Sequence, residues 1–380
     1  MEAASVTGPA KNLLGFCRWS RSQEALELGV PFAIELATYV RPGSGPEQNK
    51  FVEAARADGV PMHLIHESGR FDRSVLPRLR EIAGQISPDL IQTHNVKSHF
   101  LCKASGLNRK YPWLAFQHGY TDTDFKMALY NQLDRWSLRS ARRVVTVCQA
   151  FAKNLPPLGV RPENVRVLHN SISAPPAVPA ADVAALRQKF GIEPDEAVIL
   201  TIGRFSAEKG HADLVEALAH LARTHPAARW KALWVGTGPA QPLLEQLAAK
   251  HGVSGRIVFA GFQSPVTPFF AAAGIVAVPS HSEGSPNVVL EAMAARVPIA
   301  ATAAGGTPEI IAHESTGLLS PIKDPAAFSV SLSRLLSDPA LGIRLAIAAA
   351  ERARLHFSPK AYRRSLVGIY SELLGSARIS

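Results

Sequence analysis

Short apolar runs alternate with amphipathic stretches along almost the whole of this 380-residue chain, and that alternation restricts the fold more than any single motif. VPFAIELATYV, PMHLIHE, DLIQTH, WLAFQHG, RRVVTVC and VRVLHN read as buried strands, separated by helical patterns such as PEQNKFVEAARADG and RSVLPRLREIAGQI. A proline- and alanine-rich linker, SISAPPAVPAA at 171–181, breaks the pattern. The alternation then resumes with AVILTIGRF, RWKALWVGTG, RIVFAGF, GIVAVPS and VPIAATA, with HADLVEALAHLARTH and PLLEQLAAKHG as intervening helices. Strands alternating with helices build parallel sheets covered on both faces. The expectation is an α/β protein of two Rossmann-like domains, residues 1–172 and 173–359, with their parallel sheets facing across a cleft. The tail at 360–380 contains YRRSLVGIYSELL, a helix with one apolar face that is expected to pack back on the first domain.

A Rossmann-like half opens on an apolar strand, yet here helix-like AKNLLGFCRWSR begins at residue 10. The first strand is therefore expected to be missing or encoded ahead of Met1, with SVTGP and its Gly8 as the remnant of a glycine-bearing turn.

Length and composition agree with two ordinary globular cores, at 47% hydrophobic and 19% charged residues. Cys17, Cys102 and Cys148 are odd in number, far apart and show no CxxC, as expected of buried thiols in a reducing compartment. No run approaches the roughly 18 apolar residues of a membrane span. The N-terminus lacks a basic-then-apolar leader, so a cytoplasmic location is expected, extending to contact with the inner face of the plasma membrane. The net charge of +10, concentrated in the first half, points to anionic partners. Nucleic-acid binding would need cations gathered on one face with exposed aromatics, whereas here they are spread among helices.

Three stretches of the second half place chemistry at the carboxyl ends of strands, where open α/β sheets bind ligands. GRFSAEKGH offers Arg204 and Lys209, a planar fork and a point charge suited to a diphosphate. WVGTGP offers Gly236 and Gly238, which permit close backbone approach to a nucleotide. SEGSPNVVLEAM holds two carboxylates eight residues apart, and Pro286 divides it into a loop and a helix start. Glu283 then falls in the loop with Gly284 and Ser285, and Glu291 inside the helix. The amides of Asn287, Val288 and Val289 are expected to be unpaired at the helix N-terminus, where they suit phosphate. Carboxylates grip vicinal hydroxyls well, so Glu283 suits a hexose and Glu291 a ribose. In the first half, His118 follows a strand end, as do His94 and Lys97, which suit the acceptor side. Asp122 and Asp124 of DTDF open a helix, where aspartates favour the N-terminus, so no metal is expected there. The two histidines of HNVKSH lack a third ligand and make a weak zinc motif.

Taken in series, GRFSAEKGH, WVGTGP and the glutamate–seven–glutamate segment resemble the nucleotide-sugar half of the retaining glycosyltransferases of family 4, with the GT-B fold. AATAAGGTPEIIAHESTGLL, FQHGY, LYNQLDRWSLRSARRVVTVC and VRVLHNSIS extend the resemblance over most of the chain. It implies donor-diphosphate binding by Arg204 and Lys209, a place beside the donor sugar for Glu283, and ribose binding by Glu291. It also implies phosphate contacts from the Asn287–Val289 amides, and a position for His118 facing the reacting centre. Gly8 would match the turn facing the transferring sugar.

The expected activity is sugar transfer from a nucleotide-diphosphate-sugar to a cell-envelope glycan or lipid-linked saccharide. Retention of configuration follows from the resemblance, and neither metal nor cofactor is expected. A nucleotide-sugar epimerase of the same architecture and a noncatalytic nucleotide-sugar-binding scaffold remain open readings. A nicotinamide oxidoreductase is disfavoured because no strand leads into GxGxxG with an acidic residue about 20 positions later.

Overall fold

The structure, a computed structural model, describes residues 8–27, 32–41, 49–69, 72–119 and 125–375. Two compact units emerge, one of Met1–Asn170 with Pro359–Ser380 and one of Ser171–Ser358, two residues from the boundary expected at 172/173.

In the first unit the strands are β1 (Leu36–Val40), β2 (Met62–His66), β3 (Ile91–Thr93), β4 (Trp113–Gln117), β5 (Arg143–Thr146) and β6 (Val165–Val167). All observed pairings are parallel, as the strand–helix alternation requires. They form two sheets, β1-β2 and β3-β4-β5-β6. The helix Gly8–Trp19 packs on both. Leu13, Leu14 and Cys17 meet Leu36 and Phe51, while Phe16 and Trp19 meet Leu114, Phe116 and Val145. Gly8 is thus the first residue of a helix, not part of a glycine-bearing turn, and the remainder of SVTGP up to residue 7 lies outside the described residues.

The helix Pro359–Leu374 joins the first unit through Leu366, Ile369, Tyr370 and Leu373, which pack with Leu114, Phe116 and Val145. Glu372 accepts hydrogen bonds from Arg143 and Arg166 at its outer edge. Those pairs are exposed and contribute little, so the apolar face carries the attachment.

The second unit is one six-stranded parallel sheet. Its strands are β7 (Ala197–Ile202), β8 (Trp230–Val235), β9 (Ile257–Gly261), β10 (Ile275–Val278), β11 (Ile299–Thr302) and β12 (Leu318–Ser320). Their spatial order is β12-β11-β10-β7-β8-β9. Successive residues of β7 feed opposite cores. Ile199 faces one and Val198 and Leu200 the other, which is why the strand reads as a continuous apolar run. The order reverses between β7 and β10, and the carboxyl ends of strands at such a reversal are where open α/β sheets bind ligands. Strand β12, which overlaps the end of ESTGLL, is only three residues long and gives no strand pattern in the sequence. No described helix is long and apolar enough to cross a membrane.

Leu366 is 1% exposed. Leu366→Ala should destabilise the first unit by about 2–5 kcal/mol, the usual cost of such a cavity, measured by urea unfolding. A change below ~0.5 kcal/mol would show that the helix is not held by this core. His211, 3% exposed, packs against Phe205 and Trp234, and neither ring nitrogen has a partner. Burial, aided by the Lys209 charge, lowers its pKa from 6.5 to about 4. The unfolded chain therefore binds this proton first. The stability that His211 contributes as a neutral ring is complete above pH 6.5 and lost as pH falls towards 4. Over that window the stability difference between wild type and His211→Leu should move towards the variant by on the order of 3 kcal/mol. A difference independent of pH would contradict a neutral buried ring.

Candidate active site

The candidate site of the second unit lies on the two connections that leave β7 and β10. The first carries Arg204 and Lys209, and the second Ser280 through Pro286. They are stitched together by backbone. The His281 amide donates to the Glu208 carbonyl at 2.8 Å, and a Cβ on Gly210 would meet the Pro279 carbonyl oxygen at 2.0 Å. The His281 ring adds a 2.8 Å hydrogen bond to Asp213.

Glu283 is 8% exposed. Its Oε1 accepts from Lys209 Nζ and from Ser280 Oγ, both at 2.7 Å. A carboxylate so far removed from water needs such partners to replace its lost hydration. The third connection, after β11, fixes its backbone. Gly306 N–H donates to the Glu283 carbonyl at 3.0 Å, and Gly305, at φ 53°, lies so close that a Cβ would meet the same oxygen at 1.9 Å. Thr302 Oγ1 donates to the Ser280 carbonyl. Thus Lys209 and Glu283, expected at the diphosphate and at the sugar respectively, form one ion pair.

The helix after this loop spans Asn287–Ala294, with Pro286 as its extended N-cap residue and Glu291 half-buried within it. One of the three expected amides is corrected. Val289 N–H donates to the Pro286 carbonyl at 3.1 Å and closes the helix's own first turn. Ser285 is buried, Gly284 half-buried, and Asn287 and Val288 stand half-buried in the first turn. Arg204 is exposed.

Gly236 and Gly238 are explained by the protein itself. A Cβ on Gly236 would meet the Gly203 carbonyl oxygen at 1.9 Å, and one on Gly238 would meet the Phe205 carbonyl oxygen at 2.2 Å. Their bare backbones let the β8 connection lie against the β7 connection, a close approach between loops that needs no nucleotide to account for it.

In the first unit, His94 and His118 follow β3 and β4 and come together as a pair. Their rings stack 5.8 Å apart at 8°, and His94 also stacks on Phe116 at 4.7 Å. His118 is half-buried as a residue, and both its ring nitrogens are sealed from solvent without a partner. Burial lowers its pKa from 6.5 to about 4, with a smaller contribution from His99. Burial, then His118, also holds His94 well below the usual histidine range. The pair is neutral near pH 7, able to exchange hydrogen bonds with hydroxyls but poorly suited to accept a proton.

Lys97, expected to face an acceptor, is instead 9% exposed and 2.5 Å from Glu67, over the Tyr39 ring. Arg41 completes that cluster, 2.8 Å from Glu67. His99 is likewise committed, with its Nδ1 2.5 Å from Asp134 Oδ1. Asp122 and Asp124 lie outside the described residues. Ser280, Thr302, Gly305 and Gly306 were missed by sequence reasoning, for which the paired glycines of AAGG are the one available signal.

Comparison with known proteins now becomes informative. Residues 182–355 match the family described as Glycosyl transferases group 1, and residues 33–174 match Glycosyltransferase Family 4. The D-inositol 3-phosphate glycosyltransferase of Acidothermus cellulolyticus is 33% identical over 63% of this chain, a match that spans 55% of that protein. The lipopolysaccharide core biosynthesis glycosyltransferase LpsE of Rhizobium meliloti is 28% identical over 90% of this chain and 91% of its own length. Among solved structures, Anabaena Alr3699/HepE in complex with UDP superposes with a TM-score of 0.80 over 98% of each chain, at 19% identity, which is a likeness of fold. The two family matches, in the order and positions of the two units, show that the chain belongs to the family 4, group 1 glycosyltransferases of GT-B fold.

Proposed function

We propose that the protein transfers a sugar from a nucleotide-diphosphate-sugar to a cell-envelope glycan or lipid-linked saccharide, with retention at the anomeric carbon. The observation that carries the donor half is the Lys209–Glu283–Ser280 cluster at the strand-order reversal of the second unit. A diphosphate arriving there competes with Glu283 for Lys209, with Arg204 exposed on the same connection and a helix N-terminus beside it. As the bond to the sugar breaks, negative charge grows on the leaving phosphate. Fixed cations and helix amides stabilise that charge without reorganising. Those same groups supply the positive charge that a divalent ion would otherwise bring, so turnover should be insensitive to EDTA. Glu283, its loop held in place, presents carboxylate oxygen to sugar hydroxyls, and Glu291 serves the ribose.

The name of the LpsE relative and the basic first half of the chain support an acceptor in the envelope, one that carries or adjoins anionic groups. The neutral pair His94 and His118 suits the hydroxyl-rich side of the reaction, and the low pKa of His118 implies a pH–rate profile without a break from this residue near 6.5.

With UDP-, GDP- and ADP-sugars screened by thermal shift to choose the donor, Lys209→Ala should lower kcat/KM by roughly 10- to 150-fold. Glu283→Gln should lower kcat while leaving affinity for the nucleotide diphosphate nearly unchanged. Unaltered kinetics in Lys209→Ala would remove this cluster from the donor site. Loss of nucleotide binding in Glu283→Gln would reverse the roles of the two glutamates. Stabilisation by no donor would favour a noncatalytic scaffold.

A further inference from the structure

Two side-chain ties join the connection that leaves β10 to the chain that follows β7. One is the Lys209–Glu283 pair, which an arriving diphosphate would have to open. The other lies close by in sequence. His281 Nε2 stands 2.8 Å from Oδ2 of Asp213, in the first turn of the helix His211–Thr224. An ionised carboxylate has no proton to give, so the hydrogen of this contact belongs to Nε2, whether the ring is neutral or charged. The two side chains are only 25% and 26% exposed, and such a bond is screened less than one on open surface. Gly210, at φ 64°, makes room for the ring. A Cβ there would press on His281 Nε2 at 3.1 Å, besides striking the Pro279 carbonyl oxygen. The His281 amide meanwhile donates to the Glu208 carbonyl. One residue of the β10 connection thus grips the chain on both sides of Lys209, at Glu208 through its amide and at Asp213 through its ring. Neither grip uses the Lys209 or Glu283 side chain, so neither is broken when that pair parts.

We propose that His281 and Asp213 are positioning residues, whose hydrogen bond keeps Lys209 in place for a nucleoside diphosphate once that ligand has drawn it away from Glu283. The proposal rests on the sugar-transfer reading for the identity of the ligand, but the clamp itself does not. In the empty protein the Lys209–Glu283 pair also ties the two connections together. When a diphosphate opens that pair, the His281–Asp213 bond is the side-chain tie that remains. Without it, the chain around Lys209 has to be ordered at the expense of binding, so the loss falls on the bound state.

The test is calorimetric titration of the full chain with UDP, GDP and ADP, the tightest of which then serves for every variant. His281→Ala and Asp213→Ala should each weaken it about 3- to 10-fold, the usual net worth of one hydrogen bond. The double variant should be no worse than the poorer single. Asp213→Asn, whose amide oxygen still accepts from Nε2–H, should recover most of the loss. In a Lys209→Ala background, His281→Ala should add less than about 2-fold, because it acts through that lysine. A full further loss in that background, losses that add between His281 and Asp213, or unchanged affinity in both single variants would overturn the proposal. Should His281→Ala fail to fold, Asp213→Ala in the wild-type and Lys209→Ala backgrounds decides it. If wild type binds none of the three diphosphates, the sugar-transfer reading fails and urea unfolding judges the clamp. Midpoint losses in His281→Ala and Asp213→Ala that do not add would support it, and losses that add would overturn it.

Discussion

A carboxylate almost removed from water sits at the end of a parallel sheet, and the second unit is arranged around the need to hold it. Lys209 and Ser280 both reach the Glu283 Oε1 and supply the partners that a buried carboxylate requires. Their positions follow from the strand order. β7 and β10 are neighbours, so the connection that carries Lys209 and the one that carries Glu283 leave the sheet side by side. The β11 connection fixes the carboxylate's backbone with Gly305 and Gly306. The result is a preorganised charge pair. Under the proposed function, an arriving diphosphate would take over its cation and leave the carboxylate facing the sugar.

Much of this was legible before any coordinates, because strand alternation and proline position are local properties. The runs AVILTIGRF and GIVAVPS predict where β7 and β10 end, and Pro286 does separate Glu283 in its loop from Glu291 in the helix Asn287–Ala294. The pairing of Lys209 with Glu283 was not legible. The two are 74 residues apart, and only the reversal of strand order brings them together. The glycines of WVGTGP show a related limit. Sequence reveals that a backbone must come close to something, but only packing shows that the something is the Gly203–Phe205 backbone.

The first unit makes the same point more sharply. Lys97 looked like an acceptor-side cation because it follows a strand end. It is neutralised instead by Glu67, a residue on another strand's exit that no spacing rule connects to it. Val289, expected to offer a free amide, uses it to close its own helix turn, a detail of cap geometry that residue type does not specify. His94 and His118 were placed correctly at strand ends. Their stacking and their neutrality depend on tertiary burial that a linear reading does not contain.

The central claim is that Lys209 and Glu283 act as one device in sugar transfer. A double-mutant cycle on kcat/KM, with Lys209→Ala, Glu283→Gln and the double variant, tests it most directly. Residues that work as a unit should be strongly non-additive, with the double variant little worse than the poorer single and a coupling above about 1 kcal/mol. Losses that simply add would contradict the account, since they would mean that the 2.7 Å contact between the two side chains has no part in the reaction.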